Sequence, residues 1–289
     1  MRLVVLLKLV VFSCLQVYLL IISILHNMNE EEAGRYWNEN AEAWTALARA
    51  GFDIYRDYLN TPAFFAMLPD VKGMEGVDIG CGEGHNTRLL EQRGARMQAI
   101  DISPVFIEHA KQAHDGAGIS YQVASATALP FAASSFDFAT SFMCLMDIPE
   151  PEKALQEAWR VLKPGGFLQF SITHPCFATP HRKNLRHFGS RRTYAIEVGD
   201  YFKPLKGRIE RWIFKSAPAA LKMKYQKFQV PVFNFTLTQW VSAIINNGFV
   251  IEQLQEPCPD DAAIAQRPAL QDAQVVAYFL QIRCRKPLQ

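Results

Sequence analysis

The stretch Val77-Asp78-Ile79-Gly80-Cys81-Gly82-Glu83-Gly84 runs from apolar residues into an aspartate and then three glycines at alternate positions. It reads as a buried strand ending in a tight loop that opens onto a helix. Glycines there let the backbone take positive φ and let a ligand approach bare N–H groups. Roughly 20 residues on, a second short strand, Met97-Gln98-Ala99-Ile100, ends in Asp101, where an acid can accept from ribose hydroxyls. Together the two segments describe a nucleoside-containing cofactor lying across the ends of parallel strands.

A dinucleotide fingerprint requires G-x-G-x-x-G. Here the third glycine, Gly84, comes one residue early and His85 takes its place. The cradle is wrong for NAD. The phosphate loop G-x-x-x-x-G-K-[ST] is absent as well.

Working outward, alternating strands and helices predict a parallel, doubly wound sheet. Before the glycine loop, Glu30 to about Leu59 reads as one helix, and Thr61-Pro62 begins another through Met67. After it, helices are predicted from His85 to Arg93, from the N-cap Ser103 with Pro104 at the first position to about His114, and from Pro151 to Leu162. The strands between them run from Gly76 to Ile79, Arg96 to Ile100, Ile119 to Val123, Phe136 to Ser141 and Phe167 to Ile172. Lys163-Pro164-Gly165-Gly166 reads as a turn. A last helix, capped by Thr236 or Thr238, ends at Asn247-Gly248. Strands from Phe249 to Leu254 and Val275 to Arg283 close the chain.

Residues 175–230 interrupt this alternation. They hold 13 Lys and Arg against Glu197, Asp200 and Glu210, so the segment carries about +10 and the rest of the chain about −8. Nine aromatics are interleaved. An insertion after the fifth strand lies over the ligand crevice of such a sheet, and we read it as a substrate lid.

The 289 residues suit one large domain or a domain with an insertion. Six scattered cysteines without a C-x-x-C pair indicate reduced thiols, neither a disulfide framework nor a metal site. Residues 1–27 differ in kind, because Leu9 to Leu25 is almost wholly apolar. A cleaved signal peptide fits poorly. An anchor through residues 3–25 fits the length, but its flanking charges would put the rest of the chain outside the cytoplasm. A translation start at Met28, giving a cytoplasmic protein of residues 28–289, is the favoured reading.

Four segments in order, Asp78 to Gly84, Ala99-Ile100-Asp101-Ile102-Ser103, Leu129-Pro130-Phe131 with Ser135-Phe136-Asp137, and Arg160 to Gly166, resemble the class I S-adenosylmethionine-dependent methyltransferases. The resemblance is to their small-molecule branch, methyltransferase type 11. It covers about Tyr36 to Lys286. It implies an α/β, Rossmann-like seven-stranded sheet with the last strand antiparallel, N-terminal helices, and S-adenosyl-L-methionine as cofactor. Asp78, Gly80, Cys81 and Gly82 are expected at its methionine end, Asp101 on the ribose, and Ile102 against the adenine. The family usually carries an Asp where Ser125 stands. Ser125 is therefore a weaker adenine contact, and the backbone of Ala126 could serve. Phe142 and Met143 are expected beside the cofactor. Cys144 and Asp147 face cofactor or acceptor, and Tyr36 and Trp37 close over the methionine end. His174, ending the fifth strand, is the candidate base, while His85 only starts a helix near the cofactor.

Methyl transfer from a sulfonium is an in-line displacement, so alignment and exclusion of water dominate. A base is needed only when the acceptor is protonated. The leading expectation is a small organic acceptor, which the basic lid would favour as an anion. An RNA methyltransferase using that same segment, and a catalytically silent cofactor-binding protein, are the alternatives.

Overall fold

The computed structural model describes residues 27–114 and 116–288. The apolar segment that prompted the anchor and start-site readings, residues 1–26, lies outside them. In chain order the elements are α1 (Glu30–Arg49), α2 (Thr61–Met67), β1 (Glu75–Ile79), α3 (His85–Glu91), β2 (Arg96–Asp101), α4 (Pro104–Gln112), β3 (Ile119–Val123), β4 (Phe136–Phe142), α5 (Pro151–Val161) and β5 (Leu162–Thr173). Then come β6 (His181–Arg186), β7 (Thr193–Gly199), β8 (Lys206–Trp212), α6 (Ala219–Lys224), β9 (Phe228–Phe233), α7 (Leu237–Asn246), β10 (Val250–Gln255), α8 (Asp261–Gln266) and β11 (Phe279–Arg285). Among the described residues no helix is long and apolar enough to cross a membrane.

Seven strands form one sheet in the order β10-β11-β5-β4-β1-β2-β3. β3, β2, β1, β4 and β5 run parallel, and β11 is antiparallel to both β5 and β10. The central strands are near-continuous apolar runs because helices cover both faces. Val77, Ile79, Phe138, Leu168, Phe170 and Ile282 are fully buried. α5 lays Ala154, Leu155, Ala158 and Val161 against that core, at the three-to-four spacing of one helical face.

Three boundaries differ from the sequence reading. The first helix stops at Arg49, not near Leu59. Gly51 takes φ +79°, the Phe52 N–H donates to Leu47 O and the Gly51 N–H to Ala48 O, which is a Schellman termination. β5 begins at Leu162, because Lys163-Pro164-Gly165-Gly166 does not simply turn. The Gly165 N–H donates to Lys286 O and the Lys286 N–H to Gly166 O, so the segment pairs beside the end of β11. β11 starts at Phe279, and the residues before it include a 3₁₀ helix, Pro268–Gln274.

The inserted segment folds as two hairpins, β6 with β7 and β8 with β9. Its second hairpin docks on α1 through Trp44, whose ring lies 5.4 Å from Trp212, 5.0 Å from Phe214 and 4.8 Å from Phe228. Asn40 acts as a surrogate strand residue there. Its amide donates to Gln229 O and its oxygen accepts from the Gln229 N–H, both at 2.9 Å. The first hairpin is tied to the 3₁₀ helix through Asp272, which accepts from Asn184, Thr193 and Arg186.

Candidate active site

A cavity of about 630 Å³ opens at the carboxyl ends of β1, β2, β4 and β5, roofed by α1 and the inserted hairpins. Its volume is that of a small-molecule cleft.

The glycine loop forms the floor. Gly80, Gly82 and Gly84 have φ of +74°, +55° and +82°. A Cβ at Gly80 would stand 2.1 Å from Cys144 Sγ, so the loop and the end of β4 touch only because that residue is glycine. At Gly82 a Cβ would meet nothing within 4 Å, and the residue lines the cavity.

Two carboxylates lie beneath this loop with different occupations. Asp78 is buried, and its oxygens accept from Thr87 at 2.5 Å and from Thr140 at 2.8 Å. It pins β1 to α3 and β4. Asp101 accepts from the backbone N–H of Gly82 and of Ser103, both at 2.9 Å. Each of its oxygens keeps further acceptor capacity. Burial raises the Asp101 carboxyl to about 6, against the lowering effect of those N–H groups. Burial also pushes the Cys81 and Cys144 thiols well up, helped by the nearby aspartates, so neither is a thiolate nucleophile at neutral pH.

The chain leaves β4 under strain. Met143 has φ +54°, which a non-glycine residue rarely adopts, and its N–H donates to Ser171 O. That turn delivers the 3₁₀ segment Leu145–Asp147 to the cavity wall. The Asp147 carboxyl has no hydrogen-bond or ion-pair partner among the described residues, and burial holds it well above the usual carboxylate range. Farther along, Trp44, Trp212, Val230 and Val232 make an apolar wall. Arg182 and Arg208 also line the cavity, Arg182 over the Tyr278 ring at 4.5 Å and Arg208 paired to Glu210 at 2.6 Å.

Of the residues expected from sequence, Trp37, Asp78, Gly80, Cys81, Gly82, Asp101, Ile102, Ala126, Phe142, Met143, Cys144 and Asp147 line this one cavity. Three do not. His174 is buried away from it, its Nε2 paired to Glu256 at 2.7 Å and its Nδ1 accepting from the Cys176 N–H. The ring packs on Phe177 and braces the turn after β5. Tyr36 points off the lining face of α1, because consecutive helical residues are about 100° apart and that face carries Glu30, Ala33, Gly34, Trp37 and Trp44. Ser125 is turned to Glu30, to which its hydroxyl donates at 2.5 Å.

The sequence reading missed Glu30, Arg56, Arg182 and Arg208 on the lining. Glu30 carried a helix-start signal, since Asn29 and Glu32 form a capping box around it. Nothing local marked it as facing a cavity. Arg56 enters from a short π-helical turn, Arg56–Asn60, that no periodicity announces. Among the described residues no group of three or more His, Cys, Asp or Glu is arranged to hold a metal ion.

A family of methyltransferase domains matches residues 77–170, the stretch from the glycine loop into β5. The chain is 31% identical over 138 residues to a malonyl-[acyl-carrier protein] O-methyltransferase of Pectobacterium atrosepticum, covering 47% of this chain and 54% of that one. It is 30% identical over 194 residues to a demethylmenaquinone methyltransferase of Tropheryma whipplei, covering 65% and 80%. The structure superposes on that of an S-adenosylmethionine-dependent methyltransferase from Mesorhizobium loti with a TM-score of 0.64 at 30% identity, over 78% of this chain and 96% of the other. At this identity and coverage the chain belongs to the S-adenosylmethionine-dependent methyltransferases.

Proposed function

We propose that the enzyme methylates a small organic acceptor with an anionic group and an apolar body, held between the glycine loop and the inserted hairpins. When bound, S-adenosylmethionine supplies an activated methyl group on a positively charged sulfur. The residues present fit it. Gly82 offers bare backbone and open space, and Asp101 offers spare acceptor capacity toward ribose hydroxyls. Ile102 and Ala126 supply apolar faces for a base. Asp78 holds the loop from below through Thr87 and Thr140 and also lines the cavity, each of its oxygens keeping further acceptor capacity.

The observation that carries the acceptor class is the lining that α1 and the inserted hairpins contribute. Its Trp44, Trp212 and Val230 wall suits an apolar body, and Arg182, which has no carboxylate partner among the described residues, suits an anion. We assign the base role to Asp147, which lines the cavity, in place of His174, which does not. The Asp147 carboxyl lines the cavity unpaired, and burial raises its affinity for a proton. It accepts the proton of an acceptor hydroxyl or amine as the methyl group arrives. Residues 175–230 act as a lid that aligns the acceptor and excludes water. An RNA acceptor is the second reading, since the basic segment also carries exposed aromatics, Phe188, Phe202 and Tyr194, while Phe214 and Phe228 are packed on Trp44. The relatives named above are described as acting on malonyl-[acyl-carrier protein] and demethylmenaquinone, and these two bound the acceptors to screen first.

Methyl-labelled S-adenosylmethionine, the purified protein and a fractionated cell extract provide the test. Label is expected in an acidic small-molecule fraction. Label confined to RNA, or to neutral metabolites, overturns the reading.

A further inference from the structure

We infer that Glu30 is the group that reads the amino edge of the cofactor's adenine, taking over a task that the neutral Ser125 cannot perform. The inference rests on the cofactor site proposed above and deepens it. Glu30 lies in the first turn of α1, yet it lines the cavity. Its carboxylate is clamped from 95 residues away. One oxygen accepts from Ser125 Oγ at 2.5 Å and the other from Thr127 Oγ1 at 2.7 Å. The clamp is itself fixed, because the Thr127 N–H donates to Ser125 Oγ at 3.0 Å and the two hydroxyl oxygens lie 2.9 Å apart. A carboxylate has about four acceptor positions, so two remain for a ligand.

The surroundings give the ligand its shape. Ala33, Ile102, Phe106 and Ala126 line the cavity beside Glu30. Gly34 brings α1 flush onto Ile102, since a Cβ there would stand 2.8 Å from Ile102 Cδ1. The result is an apolar slot with one fixed acid acceptor at its edge. A flat base bearing an amine on that edge donates to it, while a base bearing a carbonyl there meets a second acceptor and is repelled. Ser125 and Glu30 are then a matched pair. A carboxylate at position 125 would stand against Glu30, and the hydroxyl instead anchors it.

Calorimetric titration with S-adenosylhomocysteine and with its inosine analogue, which carries a carbonyl in place of the amine, tests this without turnover. The wild type should favour the adenine ligand by about 10- to 100-fold, the value of a hydrogen bond to a charged group. Glu30→Gln can donate as well as accept, and should bring the two affinities within about threefold. Thr127→Val, which loosens the clamp and keeps the acid, should lower the ratio partway. Adding Ser125→Asp to Glu30→Gln should restore it. A wild-type ratio retained by Glu30→Gln overturns the assignment of Glu30. A wild type that binds neither ligand overturns the cofactor site, and the assignment with it.

Discussion

Asp101 is held between two backbone N–H groups, and burial still raises it to about 6. Ribose hydroxyls donate to its charged form, so binding favours loss of the proton. Cofactor affinity should therefore rise with pH through about 6 and flatten near 7, with proton release on binding at the acid end. Calorimetry in two buffers of different ionisation enthalpy measures both. Asp101→Asn should bind at least about tenfold more weakly and lose the acid limb; an equal acid limb in that variant would place the titration elsewhere. Asp147 predicts a second limb, in turnover. Its carboxyl is raised by burial alone, and a base works only when deprotonated. The rate at saturating substrates should climb with pH through that raised value, and Asp147→Asn should cut it by about 100-fold while sparing cofactor affinity. Wild-type turnover in Asp147→Asn sinks the role. At this scale the sequence announced residues whose chemistry is local. Asp78, the glycines and Asp101 sit at strand ends that periodicity reveals. His174 misled because a strand end fixes where a side chain begins but not which way a following turn aims it. Glu30 was invisible as a site residue because its partners, Ser125 and Thr127, are remote in sequence.

Of the five parallel strands β1 and β2 were the most legible, each a short run closed by Gly80 or by Asp101. What escaped were features made by pairing. The Ala50-Gly51-Phe52 stop needed the Schellman bonds to be recognised within an otherwise helical pattern. Lys163-Pro164-Gly165-Gly166 looked like a turn because its strand partner lies 120 residues later, at Lys286. The inserted hairpins were opaque for the same reason, their exposed basic strands having little alternation to read. α1 is the element that couples them to the sheet. Asn38 accepts from Ser103 at the start of α4, while Asn40 bridges to β9. Asn40→Ala would leave the part-buried N–H and carbonyl of Gln229 without that partner, at about 1 kcal/mol or less for each group since water can reach them. The expected outcome is faster hydrogen exchange across β8 and β9, a raised KM for the acceptor and a cofactor affinity within about twofold of wild type, the separation between sites limiting the coupling. Unchanged exchange in β9 would show that the aromatic cluster around Trp44 holds the hairpin alone.

Across the whole molecule, charge is divided as the chain is. Residues 175–230 carry about +10 and the remainder about −8, so a near-neutral protein presents a strongly basic roof over its cavity. Several of those cations are already paired, such as Arg208 with Glu210 and Arg186 with Asp272. Arg182 lines the cavity without a carboxylate partner among the described residues, and it is oriented by the Tyr278 ring. A field of this kind acts at a distance on encounter and at close range on binding, and salt separates the two. The test uses the acceptor identified by label transfer and a neutral ester of it. Raising ionic strength from about 20 to about 300 mM shrinks the screening length severalfold. It should lower kcat/KM for the anionic acceptor severalfold and leave the ester unaffected. Arg182→Gln should raise KM for the anion by about tenfold or more, the value of a charged hydrogen bond, and the remaining kcat/KM should still fall with salt because the rest of the roof is intact. Equal salt dependence for anion and ester would mean that the basic roof plays no part in acceptor choice, and that its charge serves the surface alone.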